Sequence, residues 1–411
     1  MTDRISRCLL SWFLRRIVRG SLTLVEDGER RIYGSGTPTA TIVVRSARMW
    51  RMGLTGSRGL AVAYAAGLWD SPDLVALVRL AARNAPRLDR LRARLAPVRV
   101  PFRRAGAWLT RSTRRRRRRD IAAHYDLGND LFSRMLDPSM TYSCALFEEP
   151  ATTLEEAQLA KLERICEKLD LGPGDHLLEI GTGWGALAVH AAVTRDCRVT
   201  TTTISREQHE YAAAAVRRAG VEDRVTVLLE DYRDLTGRYD KLVSIEMIEA
   251  VGWRHTGAFL SKCSELLVGD GAMLLQAIVI DDRAYEVEKA SRSFMNTLIF
   301  PGGCLPSLEV IVRGLARRTD MQLAHLEDLT PHYVETLRCW RRRFAEHAAE
   351  LEDLGYDERF RRLWTLYLSY CEGGFAERRI LDLQLLLGKP DRRVEASAAT
   401  TRPPRVMIAL P

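Results

Sequence analysis

Two periodicities alternate along most of this chain. Between residues 154 and 280, short apolar runs give way to longer stretches in which apolar residues return every third or fourth position, the signatures of buried strands and amphipathic helices. "TLEEAQLAKLERICEKLDL" predicts a helix, "DHLLEIG" a strand, "GALAVHAAVT" a helix, "RVTTTTI" a strand, and "SREQHEYAAAAVRRAG" a helix closed by Gly220. "RVTVLLED", "YDKLVSIEM" and "GAMLLQAIVI" read as further buried strands, with helices such as "TGAFLSKCSELL" between them. This alternation predicts an α/β fold built on a doubly wound, mostly parallel sheet.

Ahead of it, "LTLVEDG" and "ATIVVRS" read as strands and "GLAVAYAAGLW" and "SPDLVALVRLAARN" as helices, the second with a Ser-Pro start. Residues 1–96 are therefore expected to form a small α/β domain without a catalytic constellation. A Pro- and Arg-rich stretch over 97–119 reads as a linker, 120–390 as the main domain and 391–411 as a tail. No internal repeat is evident.

Charge changes the picture more than composition does. The first 120 residues hold 27 Arg and no Lys against 8 Asp and Glu, whereas the whole chain of 411 residues is only +9. The basic part is expected to face something anionic, and phospholipid and nucleic acid both offer phosphates. Read as a helix, "ISRCLLSWFLRRIVRG" sets Leu9, Leu10, Phe13 and Ile17 near one face and Arg4, Arg7, Arg15 and Arg19 largely on the other, the layout of a helix lying in a membrane interface. The run Arg114 to Arg119 carries no interleaved aromatics of the kind that stack bases. Both features favour an anionic membrane surface, against the plainer readings of a helix packed on its own domain and a solvated spacer.

No stretch reaches the roughly 18 to 20 apolar residues of a spanning helix, and "CLLSWFLRR" is too short for a signal peptide. The eight cysteines form no CxxC pair and no cluster with His at metal-ligand spacing. A cytoplasmic protein at the inner face of the cell membrane, with no metal, is expected.

The strongest local signal is "LLEIGTGWG", residues 177 to 185, where a predicted strand runs straight into a glycine-rich turn that opens a helix. Gly181, Gly183 and Gly185 permit a tight turn and close approach of a ligand to the backbone at the strand's carboxyl end. A bare GxGxG also suits a dinucleotide, but that cofactor predicts an acidic residue ending the next strand, and "VTTTTIS" has none there. Glu179 ahead of the loop, the preceding helix and the mid-chain position point instead to S-adenosylmethionine.

"TYSCALF", "LLEIGTGWG", "TTISREQHEYA", "EMIEAVG", "IFPGGCLPS", "TPHYVETLRCWRRRF" and "YLSYCEGGFAERRILDLQLLL" stand in the order found in the cyclopropane-fatty-acyl-phospholipid synthase family. "AYAAGLWDSPDL" is similar to that family's first domain, so the chain resembles it over residues 20 to 390 or so. The resemblance implies a seven-stranded class I methyltransferase sheet with a smaller N-terminal α/β domain, and a homodimer. It also implies transfer of the methyl of S-adenosylmethionine to a cis double bond of an acyl chain esterified in membrane phospholipid. An alkene is a weak nucleophile and the intermediate is a carbocation. The site must therefore be dry, align alkene with methyl sulfonium, and remove one proton.

Carried over motif by motif, Tyr142 and Ser143 would touch the methionine part of the cofactor, and Gly181 and Gly183 the adenosyl part. Thr203, Ile204 and Gln208 would serve the ribose and adenine side, and Asp231 and Tyr232 would grip adenine. The resemblance places Cys144 in the reaction cavity, where it and Glu249 help hold a bicarbonate ion that acts as the base, with Ile278 giving a backbone group and Tyr333 its hydroxyl. Cys371 matches a cysteine of the family. From the residues alone, Cys144 lacks a nearby histidine to make it a nucleophile and also reads as a buried thiol, Glu249 also as a helix-start residue, and Cys371 as packing.

One position departs from the cyclopropane-forming pattern: Gln276 stands where those members carry histidine. A glutamine hydrogen-bonds an anion but cannot ionise, which puts bicarbonate binding in question. The same cation can lose its proton after a hydride shift to leave an exocyclic methylene, which a flavin-dependent reductase partner would convert to a methyl branch. The branch of the family that makes such tuberculostearic-type lipids is the one this sequence resembles in "EMIEAVG" and "LLQAI". Two other readings compete: the same cofactor with a small-molecule or RNA acceptor, and an inactive lipid-binding homologue. The intact glycines, Glu249 and Tyr333 speak against the latter, and "SIEMIEAVG" is no base-methylating motif, so no nucleic acid is expected.

Overall fold

In the computed structural model, which describes residues 3–87, 89 and 128–392, the strands sort into two sheets. The expected linker over 97–119, with Arg114 to Arg119, and all but the first two residues of the expected tail fall outside the described residues. In the smaller sheet, β1 (Gly20–Glu26) runs antiparallel to β2 (Glu29–Ser35) and parallel to β3 (Thr39–Val44), and β4 (Trp69–Asp70) pairs with β3. β1 alternates buried with half-buried positions, as a strand with one face on a core does. β2, almost wholly exposed, carries no such pattern and was not among the predicted strands. A helix over 74–87 sets Leu77 and Leu80 against Leu22 and Ala40.

The first helix, Asp3–Leu14, corrects the expected division of its faces. Leu10, Leu14 and Ile17 pack against the protein, and Arg7 reaches Glu26 at 2.9 Å. Ile5, Leu9, Trp12 and Phe13 are left exposed. Apolar side chains thus occupy two sides of this segment, one spent on the fold and one facing outward. Among the described residues no helix is long and apolar enough to cross a membrane.

The larger sheet contains β5 (His176–Ile180), β6 (Arg198–Thr202), β7 (Val225–Leu228), β8 (Tyr239–Ile245), β9 (Leu267–Ile280), β10 (Gln322–Asp328) and β11 (Ile380–Gly388). Their order is β10-β11-β9-β8-β5-β6-β7, and all pair in parallel except β11, which runs antiparallel to β9 and β10. This is the doubly wound, mostly parallel arrangement the alternation predicts. Successive residues of β5 feed opposite layers, Leu178 and Ile180 one core and Leu177 the other, which is why the run is continuously apolar. β5 lies between β8 and β6, so the direction of winding reverses at its carboxyl end, where open α/β sheets bind ligands.

A third core joins the two sheets' surroundings. Trp50, Tyr64 and Trp69 share it with Trp340, Trp364 and Phe375 of the C-terminal helices Thr330–Glu346 and Glu358–Ala376. Close approach is made possible by Gly373, where an added Cβ would lie 2.8 Å from the Val78 Cβ and 3.1 Å from the Val75 carbonyl oxygen. Gly373→Ala is therefore expected to destabilise the protein by about 1–3 kcal/mol through overpacking. Gly174→Ala, whose Cβ would meet nothing within 4 Å, should stay within about 0.5 kcal/mol of wild type. Equal melting temperatures for the two variants would show that this contact does not hold the parts together.

Candidate active site

A cavity of about 200 Å³ opens at the carboxyl end of β5. Of the residues assigned to the cofactor, Tyr142, Ser143, Glu179, Gly181, Gly183, Thr203, Ile204, Gln208, Asp231 and Tyr232 line it. Gly181 and Gly183 take left-handed φ values of 107° and 54°, and a Cβ on Gly183 would project into open space, within 4 Å of nothing. That space suits a ligand against bare backbone. Gly185 does not line the cavity, which corrects its assignment: it caps helix Ala186–Arg195, and its Cβ would meet Ala212 Cβ at 3.1 Å. Its role is helix packing.

The other lining groups are held by one another. Glu179 accepts from Thr201 Oγ1 at 2.6 Å, and burial pushes its carboxyl up to about 8. Thr203 Oγ1 bonds Gln208 Oε1 at 2.9 Å. Asp231 is gripped by the Arg233 guanidinium, with Nε at 2.7 Å, so the carboxylate expected to grip adenine is already ion-paired. Lys161, buried and unforeseen in the sequence, donates to Ser143 Oγ at 2.8 Å and also lines the cavity. Trp184, Met247 and His255 join it there; of these, Trp184 and Met247 lay within quoted motifs, where neither was assigned a role.

A second cavity of about 1140 Å³ adjoins the first, larger than ordinary ligand pockets of about 300–1,000 Å³. Leu60, Ala61 and Leu77 wall it from the N-terminal side, and Phe294, Phe300 and Leu337 from the other. Glu249, Ile278, Tyr333 and Cys371 line it as well. Among the described residues, Tyr142, Glu246 and Ala250 line both cavities. Tyr142 bonds the Tyr367 hydroxyl at 2.7 Å.

Glu246, not singled out from the sequence, is the centre of this junction. Its Oε1 accepts from the Cys144 backbone N–H and from Gln276 Nε2, both at 2.8 Å, and its Oε2 accepts from the Tyr333 hydroxyl at 2.5 Å. Glu249 accepts from the Ile278 N–H at 2.5 Å. The backbone and side-chain groups expected to hold bicarbonate are thus taken by the chain's own carboxylates. The donor set does not fit an added anion.

Two further assignments change with this geometry. The Cys144 side chain lines neither cavity: its thiol is fully buried, faces the carbonyls of Ala145 and Leu329, and is pushed well up by burial and then by the Asp382 and Glu246 charges. Only its N–H serves the site. Gln276 is likewise fully buried and reaches neither cavity; it bridges Glu246 to Asp382 Oδ2 at 2.9 Å and accepts from Gln384 at 2.9 Å. It acts through Glu246. Cys371 lines the large cavity with its thiol pushed up by burial.

Residues 112–385 match the family model described as mycolic acid cyclopropane synthetase. The chain belongs to this family. It is 38% identical to the tuberculostearic acid methyltransferase UfaA1 of Mycobacterium tuberculosis over 84% of each chain. It is 43% identical to the cyclopropane-fatty-acyl-phospholipid synthase of Escherichia coli over 64% of this chain and 65% of that one. The solved structure of mycolic acid cyclopropane synthase CmaA1, complexed with SAH and CTAB, matches with a TM-score of 0.62 at 32% identity, covering 66% of this chain and 98% of that one. The seven-stranded sheet is accordingly the class I methyltransferase fold, and the protein is an S-adenosylmethionine-dependent methyltransferase of the family.

Two outcomes are expected at this site. Gly183→Val should abolish S-adenosylmethionine binding in calorimetry, because its side chain enters the cavity from a left-handed position; unchanged affinity would remove the loop from the site. The Glu249 carboxyl is pushed from 4.5 up to about 8 by burial and then by the Glu246 charge. Across that window the unfolded chain releases this proton while the folded chain keeps it, so the group lowers stability as pH rises. The melting temperature of Glu249→Gln should therefore gain on wild type between about pH 5 and about pH 8. A constant gap would mean the carboxyl is not held neutral.

Proposed function

We propose that the protein transfers the methyl carbon of S-adenosylmethionine to the cis double bond of an unsaturated acyl chain esterified in membrane phospholipid. One observation carries this reading: a small cavity at the switch point of the sheet meets a large apolar cavity, with Tyr142, Glu246 and Ala250 as the shared wall. The cofactor, when bound, supplies an electrophilic methyl group. The chain's residues do the rest. Gly181 and Gly183 let it approach the backbone, Leu60, Leu77, Phe294 and Leu337 exclude water from the acyl chain, and Tyr142 with Ala250 bounds the line along which alkene and methyl meet.

The product favoured is a methylene-branched chain, which a flavin-dependent reductase would saturate to a methyl branch. Gln276 in place of the cyclopropane-forming histidine supports it, as does the 38% identity to a tuberculostearic acid methyltransferase over 84% of the chain. The reductase and a homodimer belong to this reading on family resemblance alone. The N-terminal part is read as the membrane-associating one, working from the cytoplasm at the inner face of the cell membrane: the outward stripe Ile5, Leu9, Trp12 and Phe13 is flanked by the exposed Arg4, Arg15 and Arg16, an apolar face for acyl chains and cations for anionic headgroups.

The test uses dioleoyl phosphatidylglycerol vesicles and S-adenosylmethionine, with the lipid product read by proton NMR. Wild type is expected to give olefinic signals of an exocyclic methylene; upfield cyclopropane methylene signals and nothing else would sink the branching assignment. Replacing Leu9 and Trp12 together by Ser should weaken vesicle binding about a hundredfold or more, since each buried side chain is worth about 1.5–3 kcal/mol, and turnover at low lipid should fall with it, while cofactor affinity stays unchanged. Full turnover by that variant would leave the helix without a membrane role.

A further inference from the structure

The geometry points to Glu246 as the base of the reaction: a carboxylate built into the chain stands where the family resemblance implies a bicarbonate ion, and takes the proton itself. This rests on the reading above of an alkene as methyl acceptor.

Three features carry it. The carboxylate lies on the shared wall of the two cavities, where a reacting carbon would pass from one to the other. Donors from three separate parts of the chain converge on it: the Cys144 N–H at 2.8 Å, Gln276 Nε2 at 2.8 Å and the Tyr333 hydroxyl at 2.5 Å. A carboxylate offers about four acceptor positions, so one remains for an incoming proton. Finally, Glu246 follows the last residue of β8 in a left-handed conformation, φ 48°, which an L residue adopts only at a cost. The cost is met because the side chain is anchored at its far end.

The neighbouring acids are less suited to the role. Glu249 has one donor, the Ile278 N–H, and its Oε2 is buried without a partner among the described residues. Asp382 lines neither cavity. Glu246 therefore has the most donors of the three acids; burial pushes its carboxyl up, as a proton acceptor requires, while those donors and the buried Lys161 ammonium work against burial and favour the charged form.

The step balances without any further reagent. A C–C bond forms between the transferred methyl and one alkene carbon as the S–CH3 bond breaks, leaving a cation on the neighbouring carbon. A C–H bond of the added carbon then breaks. Its electron pair closes the ring or, after a 1,2-hydride shift, forms the exocyclic double bond, and the proton goes to the Glu246 carboxylate, which later returns it to water.

The test measures turnover on dioleoyl phosphatidylglycerol vesicles in buffer freed of carbon dioxide and in the same buffer with sodium bicarbonate. Wild type should run at the same rate in both. Glu246→Gln, which keeps the size of the side chain, should lose about 10²- to 10⁴-fold in rate while binding S-adenosylmethionine as wild type does. Glu246→Gly should lose as much and regain part of it when bicarbonate or formate is added, because the freed donors then accept an outside anion. Calorimetry with bicarbonate should show no binding to wild type and binding to Glu246→Gly. A wild-type rate that depends on bicarbonate, wild-type binding of bicarbonate, or full activity in Glu246→Gln would overturn the proposal. Absence of wild-type turnover on every vesicle would instead overturn the alkene reading and the proton step with it, and calorimetry would still decide whether Glu246 fills the anion place.

Discussion

A carboxylate buried away from water is stable only when its charge is met by donors, and the arrangement around Glu246 follows from that requirement. Its three donors come from the segment before helix Leu154–Leu169, from β9 and from helix Thr330–Glu346. A neutral donor to such a buried charge is typically worth about 1.5–3 kcal/mol. The carboxylate therefore fixes the relative positions of three elements that are far apart in sequence, and those are the elements that form the junction of the two cavities.

The constraint propagates inward through amides. Gln276 can offer Nε2 to both Glu246 and Asp382 because Gln384 donates to its Oε1, and Gln384 in turn accepts from Lys168 at 2.6 Å. An ionisable side chain at 276 would add a fourth titrating group to a cluster that already holds Glu246, Glu249 and Asp382. A glutamine does not ionise, so it positions the carboxylate without competing for the proton.

The N-terminal part contributes to the reaction by enclosure. Leu60, Ala61 and Leu77 complete a cavity whose opposite wall comes from the C-terminal helices, and the tight approach at Gly373 holds the two sides together. Excluding water matters here because a carbocation next to an open solvent path would be captured as an alcohol.

The sequence by itself determined the elements whose pattern is local. β5 to β9 and the helices between them each bury a face defined by near neighbours in the chain, so periodicity reports them, and the glycine loop announces the cofactor site because left-handed turns need glycine wherever they occur. β10 was not legible, being mostly exposed, and neither was β2. The carboxylate cluster was beyond periodicity for a different reason. "SIEMIEAVG" shows two glutamates three residues apart, and family motifs single out Glu249. Only the parallel pairing of Ile245 with Gln276 brings Glu246 beside that amide, and only the packing of helix Thr330–Glu346 delivers the Tyr333 hydroxyl. The same holds for Cys144, whose thiol the family motif assigned to the reaction cavity while packing buries it and leaves only its backbone N–H to the site, and for the first helix, whose outward stripe depends on which leucines the core claimed. Hydrogen-bond partners separated by 30, 87 and 102 residues are chosen by register and packing, and no local pattern encodes them.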